Sequence, residues 1–381
     1  MRPTELPAPD ANALAASRAL VERIRAELRA HGNWMSFARY MELALHEPGL
    51  GYYAAGSAKL GPGGDFVTAP ELGPLFARTL AAQVAPLLEA TGGAILELGA
   101  GSGALAQALL AELEQSGAHP PEYLILETST ELRDRQRRRI GAGATWIERL
   151  PETFSGVMLA NEVADAMPVH AVAWTDRGIR ERGVCENEGE LTWAERAASG
   201  SVLDVASSIE IDLPPSGRYE SEIGLAAQGW IATLAGRLAT GALLVIDYGF
   251  AHREYYHAQR SMGTLMCHYR HHAHGDVFLY PGLQDITAHV DFSALADAGA
   301  QAGLDVLGYA TQAQFLVNCG ITGILGRVNS GDARQYAPRA AEANTLLAPS
   351  EMGELFKVLA LGRGVASPLV GFSRGDRVHT L

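Results

Sequence analysis

Seven residues, Glu97-Leu98-Gly99-Ala100-Gly101-Ser102-Gly103, constrain this chain more than any other stretch. They follow the short apolar run AILEL and precede the apolar-periodic segment Leu105–Leu113, so they read as a tight turn from a strand into a helix. Glycines at alternate positions let the backbone come close to a ligand, and the helix N-terminus favours negative groups. EYLILE then reads as a second strand, Ser129–Ile140 as an Arg-rich helix and GVMLANE as a third strand after the Pro151 turn. This alternation predicts an α/β fold built on a parallel, doubly wound sheet.

The flanking segments predict what surrounds that sheet. Leu14, Leu20, Ile24 and Leu28 recur at helical spacing, a second helix is expected over about Ser36–Leu45, and Pro74–Ala90 reads as a third. Between them HEPGLGYYAAGSAKLGPGGDFVTAPELG is dense in Gly and Pro, and its Tyr52, Tyr53 and Phe66 favour an ordered functional loop. Val169–Trp193 alternates apolar and polar with two turn signals, which predicts a small antiparallel insertion. A helix over Gly224–Leu238, a buried strand ALLVIDYG, a helix over Phe292–Ala302, a strand near Leu304–Tyr309 and a last strand FKVLALGR complete the reading. The expected organisation is a helical and loop cap (1–90), a cofactor-binding core (91–250) carrying the insertion (169–193), a substrate-side excursion (251–291) and a C-terminal return to the core (292–381).

Composition narrows the function. The 381 residues carry 30 Lys and Arg against 43 Asp and Glu, a formal charge of −13, which disfavours non-specific binding to nucleic acid or acidic membranes. Cys185, Cys267 and Cys319 lie far apart, with no paired spacing for a zinc site or a disulfide framework, so a reducing compartment is expected. No apolar run approaches a membrane span, and the N-terminal MRPTELPAPDANALAASRAL lacks an apolar signal core. A cytoplasmic location is therefore expected.

Two cofactor classes compete for the glycine turn. Gly99-x-Gly101-x-x-Ala104 satisfies the dinucleotide fingerprint of an NAD- or FAD-dependent oxidoreductase. The E-x-G-x-G-x-G form instead resembles the first motif of S-adenosylmethionine-dependent methyltransferases. A carboxylate at Glu97 suits a cationic cofactor end and would repel a pyrophosphate. Glu127, ending the second strand, can hydrogen-bond ribose hydroxyls in either class. At the third strand end, Asn161, Glu162 and Asp165 sit where ligands gather in open α/β sheets. Asp165 fits a helix N-cap equally well.

Other residues are weaker. His268, His271, His272 and His274 fall in an aperiodic stretch without the fixed spacing of a metal site, and no metal is expected. His289 and Asp291 would point to one side of an extended segment, so His289 could serve as a general base, while Asp291 suits the cap of the helix at Phe292. Asp247-Tyr248-Gly249 ends a strand, where site residues collect. Arg133, Arg135 and Arg137 to Arg139 read as a solvated helix face.

Six blocks together resemble the MidA family: GDFVTAPELGPLF, ILELGAGSGALA, ANEVADAMPVH, IDYG, PGLQDITAHVDFSAL and EMGELFKVLALGR, in that order over roughly residues 30–365. That family comprises S-adenosylmethionine-dependent methyltransferases linked to respiratory complex I assembly, and its mitochondrial member is similar to a protein-arginine methyltransferase. The resemblance implies a Rossmann-like class I methyltransferase sheet. It also implies cofactor contacts at Glu97, Gly99, Gly101, Gly103 and Glu127, with Asp65 and Phe66 folding over the cofactor. Asn161, Glu162 and Asp165 would line the acceptor side. A complex I subunit is the expected protein substrate, and a homodimer the expected self-association. Val163-Ala164 departs from the aromatic pair usual in the family. The rival readings are the oxidoreductase and a non-catalytic assembly chaperone that keeps the fold.

Overall fold

Ile95, Leu96 and Leu98 of the strand Ala94–Leu98 are buried, as are Val157 to Ala160 of Phe154–Asn161 and Ala242 to Ile246 of Leu238–Phe250. Near-continuous apolar runs of this kind are buried on both faces, which is the situation of central strands in an α/β sheet. The computed structural model describes residues 6–54 and 68–381. These separate into two units, one formed by 68–164, Gln228–His252 and Val290–Leu381, the other by 6–54, Asp165–Ala227 and Arg253–His289.

In the first unit the sheet order is Asp305–Thr311, Phe356–Arg363, Leu238–Phe250, Phe154–Asn161, Ala94–Leu98, Tyr123–Leu126, Thr145–Ile147. The five strands from Leu238–Phe250 to Thr145–Ile147 pair in parallel. Phe356–Arg363 runs antiparallel to both its neighbours, so the sheet is mixed where a parallel one is expected. An apolar run reports burial on two faces and carries no sign of strand direction. The chain order turns back between Ala94–Leu98 and Phe154–Asn161, and the crevice at the carboxyl ends of such neighbours is where these sheets bind ligands. The helix Leu75–Thr91 shares its core with Ile95, Leu105 and Leu109, so it belongs with the sheet and not with an N-terminal cap.

The second unit is built on antiparallel strands. Met35–Ser36, Gly178–Asn187, His170–Thr175 and Arg218–Ile223 lie side by side, and Glu190–Ala197 pairs with Gly178–Asn187. The insertion expected over 169–193 thus extends to Ile223, because Arg218–Ile223 returns to pair with His170–Thr175 across some 40 intervening positions that no local pattern links. Met266–Tyr269, His272–His274 and Asp285–Thr287 form a small three-stranded sheet inside the stretch expected to be irregular. The helices Ala11–Ala30 and Phe37–His46 are capped by Asp10 and Ser36, and their buried Leu20, Ile24, Leu28, Phe37 and Tyr40 share a core with Val169, Ala171 and Ile286. No helix among the described residues is long and apolar enough to cross a membrane.

Candidate cofactor site

Between the strand Ala94–Leu98 and the helix Ala104–Ser116, Gly99, Gly101 and Gly103 have φ of +66°, +52° and +82°. L-residues with a side chain enter this region only at a cost, which explains glycine at each position. A Cβ on Gly99 would also come within 3.0 Å of Val163 Cγ2, so the turn lies directly against the chain leaving Phe154–Asn161.

The two acids of the sheet edge are held differently. Glu97 is 2% exposed, and the Tyr123 hydroxyl donates to its Oε2 at 2.7 Å. Burial outweighs this bond and pushes its carboxyl up to about 7. Glu127 accepts from the Ser129 amide at 2.8 Å and from Gln136 Nε2 at 3.1 Å. Its carboxyl is also raised by burial, against the opposing pull of those bonds.

Gln136 went unnoticed in the sequence. It is fully buried, its Nε2 also donates to the Gly101 carbonyl at 2.9 Å, and its Oε1 accepts from Trp146 Nε1 at 2.8 Å. One side chain thereby sets the spacing between the glycine turn and the acid of the next strand. The only available signal was a non-charged residue in the run Arg133 to Arg139.

At the third strand end, Asn161 Nδ2 donates to Glu162 Oε1 at 3.0 Å, and the Ala69 amide donates to the same oxygen at 3.2 Å. Glu162 has φ +54°, a left-handed conformation that a glutamate adopts only where the surroundings impose it. The imposing contacts are visible: its amide donates to the Ile246 carbonyl at 2.8 Å. Just beyond, the buried Asp247 accepts from the amides of Val163, Ala164 and Tyr248 at 3.2, 2.9 and 2.9 Å. Asp247 thus fixes the turn that presents Glu162.

Seven of the expected site residues therefore meet in one unit: Glu97, Gly99, Gly101, Gly103, Glu127, Asn161 and Glu162. Asp165 and His289 lie in the other. Asp165 is buried in a turn that starts no helix, so it is no N-cap, and its carbonyl accepts from the Ala288 amide at 3.0 Å. The His289 amide donates to Thr264 Oγ1 at 3.0 Å. Asp291 is spent elsewhere: one oxygen caps the helix Phe292–Gln301 and the other pairs with His252 Nδ1 at 3.0 Å. Asp65 and Phe66 lie outside the described residues. No group of three metal-ligating side chains converges among the described residues.

The residues suit a nucleoside cofactor with a cationic end. The turn leaves no Cβ over its glycines, Glu127 stands at the second strand end, and the buried Asn161 Oδ1 has no hydrogen-bond partner among the described residues. A buried acceptor of that kind needs a donor from beyond the described residues, and a bound ligand can supply one.

Comparison with known proteins decides between the two cofactor classes. The model of a family of S-adenosyl-L-methionine-dependent methyltransferases matches residues 77–310. The chain belongs to this MidA-like family. It is 31% identical over 385 residues to the mitochondrial protein arginine methyltransferase NDUFAF7 of Danio rerio, covering 91% of this chain and 87% of that one. The Drosophila melanogaster homologue is 27% identical over 424 residues, with 97% and 92% covered. A crystal structure from Burkholderia thailandensis, bound to S-adenosyl-homocysteine, matches with a TM-score of 0.95 and 49% identity over 99% of this chain and 100% of that one. The methyltransferase is thus S-adenosylmethionine-dependent, and the oxidoreductase reading is set aside. The cytoplasmic expectation is overturned, since these curated relatives are mitochondrial proteins. Charge and cysteine usage do not distinguish one reducing aqueous compartment from another.

Proposed function

We propose that this methyltransferase modifies an arginine side-chain nitrogen of a protein, and that the acceptor is a subunit of respiratory complex I. The observation that carries the proposal is Glu162, a carboxylate held in a left-handed conformation at the strand end beside the glycine turn. The names of the relatives as protein arginine methyltransferases support the acceptor class. The link to complex I rests on the MidA resemblance of the sequence.

S-adenosylmethionine supplies a methyl group on a sulfonium, whose departure as a thioether needs no protonation. Gly99, Gly101 and Gly103 would hold it through their backbone, with Glu127 on hydroxyls and Glu97 on positive charge. Glu162 would grip the guanidinium, fix its orientation and favour positive charge on the nitrogen that does not attack the methyl carbon. Its conformation, set by Ile246 and Asp247, means that this orientation is built before the acceptor arrives. Asp165 and His289, in the other unit, take no part in this reading.

Mass spectrometry of complex I subunits from cells with and without the protein tests the proposal. A methyl increment on an arginine that disappears with the gene supports it, and unchanged spectra favour the assembly chaperone. Light scattering tests the proposed homodimer, which requires twice the 40.5 kDa of one chain.

A further inference from the structure

The glycine turn is gripped by a cluster that the cofactor reading does not use. The Ser102 hydroxyl, within the turn, donates to Glu71 Oε1 and accepts from Arg139. Arg139 also reaches the Ser102 carbonyl at 3.4 Å and Glu71 Oε1 at 3.3 Å. The Glu71 side chain is only 10% exposed and that of Arg139 35%. Such a half-sheltered ion pair with a shared hydroxyl is stronger than an exposed one.

Glu71 belongs to the single helical turn Ala69–Leu72. The first residue of that turn, Ala69, donates its amide to Glu162 Oε1. Two residues apart, the same short element therefore holds the acceptor-side carboxylate with its backbone and the glycine turn with a side chain. Because Ala69 and Glu71 share one helical turn, a shift of its backbone moves both contacts together.

We propose that Glu71 is a positioning residue that couples cofactor occupancy of the glycine turn to the placement of Glu162. Acting through Ser102 and Arg139, it holds the turn in its binding conformation, and through Ala69 it transmits the state of the turn to the carboxylate. The inference rests on the glycine turn being the cofactor site.

Full-length protein is titrated with S-adenosyl-homocysteine by calorimetry, and amide hydrogen exchange over residues 68–76 is followed with and without it. In the native protein the ligand slows exchange at the amides of Ala69, Glu71 and Leu72. Glu71→Gln weakens ligand binding roughly tenfold, as loss of a charge-assisted contact should, and abolishes the ligand-dependent slowing. Glu71→Asp recovers part of both. Glu354→Gln, which breaks the exposed pair with Arg377, changes neither. Unchanged affinity in Glu71→Gln, or ligand-dependent protection equal to that of the native chain, overturns the coupling. Failure of the underlying site reading looks different: Gly101→Val would then keep its affinity for the ligand.

Discussion

The side-chain amide of Gln136 donates to the Glu127 carboxylate at 3.1 Å from a position with no solvent exposure. The same nitrogen holds the Gly101 carbonyl, and the amide oxygen receives Trp146. Three elements that are separate in sequence thus depend on one residue for their mutual spacing.

Gln136→Leu keeps the approximate volume and removes both hydrogen-bonding ends. It leaves the buried Glu127 carboxylate and the half-buried Gly101 carbonyl and Trp146 indole N–H each short of a partner, and we expect a loss of about 3 kcal/mol in chemical denaturation. Affinity for S-adenosyl-homocysteine should fall with it. A variant as stable as the native chain would show that water replaces the amide at all three groups.

Gly99→Ala meets two obstacles, a φ of +66° and Val163 Cγ2 at 3.0 Å from the new Cβ. The conformational term alone costs about 1–2 kcal/mol. Adding Val163→Ala relieves the contact and leaves the conformational term, so thermal unfolding of the double variant should show less damage than the two single variants summed. Strict additivity would mean that the side chain of Val163 already moves freely out of the way.

Glu162 occupies left-handed backbone, so Glu162→Gly and Glu162→Ala should part company. Glycine tolerates the conformation and alanine does not, a difference of about 1 kcal/mol in favour of glycine. Both should lose methyl transfer while retaining S-adenosyl-homocysteine binding. Full activity in either variant would remove Glu162 from the acceptor side, and equal stabilities would show that the backbone relaxes out of the left-handed region.

The Glu97 carboxyl lies at about 7 when folded, against 4.5 for an ordinary glutamate. The folded protein therefore binds this proton more tightly than the unfolded chain does. The associated stability is present in full below about pH 4.5 and is lost as pH rises through 7. Glu97→Gln keeps an acceptor for the Tyr123 hydroxyl and has no proton to lose, so the stability difference between variant and native chain should grow in favour of the variant from pH 5 to 8. Binding of S-adenosylmethionine near pH 7 should release protons from the native protein, seen as calorimetric enthalpies that depend on the buffer. Parallel pH profiles for the two proteins would place the titration elsewhere.

Much of the site could be read locally. Gly99, Gly101 and Gly103 with Glu97 announce a strand, a turn and a helix within a dozen residues, and Glu127 and Asn161-Glu162 end apolar runs that can only be buried strands. Ser36, Ser129 and Asp291 cap helices close to where the pattern starts them. Arg139, in contrast, lies in a run that looks like solvated surface, and nothing near it in sequence marks it as a partner of Ser102 and Glu71. The pairing of Arg218–Ile223 with His170–Thr175 was equally hidden, because register between distant strands leaves no local period.

The order of apolar runs, the glycine spacing and the acids at strand ends follow from the sequence itself, since side-chain periodicity and backbone freedom are properties of neighbouring residues. Tertiary structure alone decided that Phe356–Arg363 runs against its neighbours, that Gln136 ties the turn to Glu127, and that Glu97 holds its proton near neutrality. Each of these depends on which distant groups exclude water and which supply hydrogen bonds, and that is fixed only when the chain has packed.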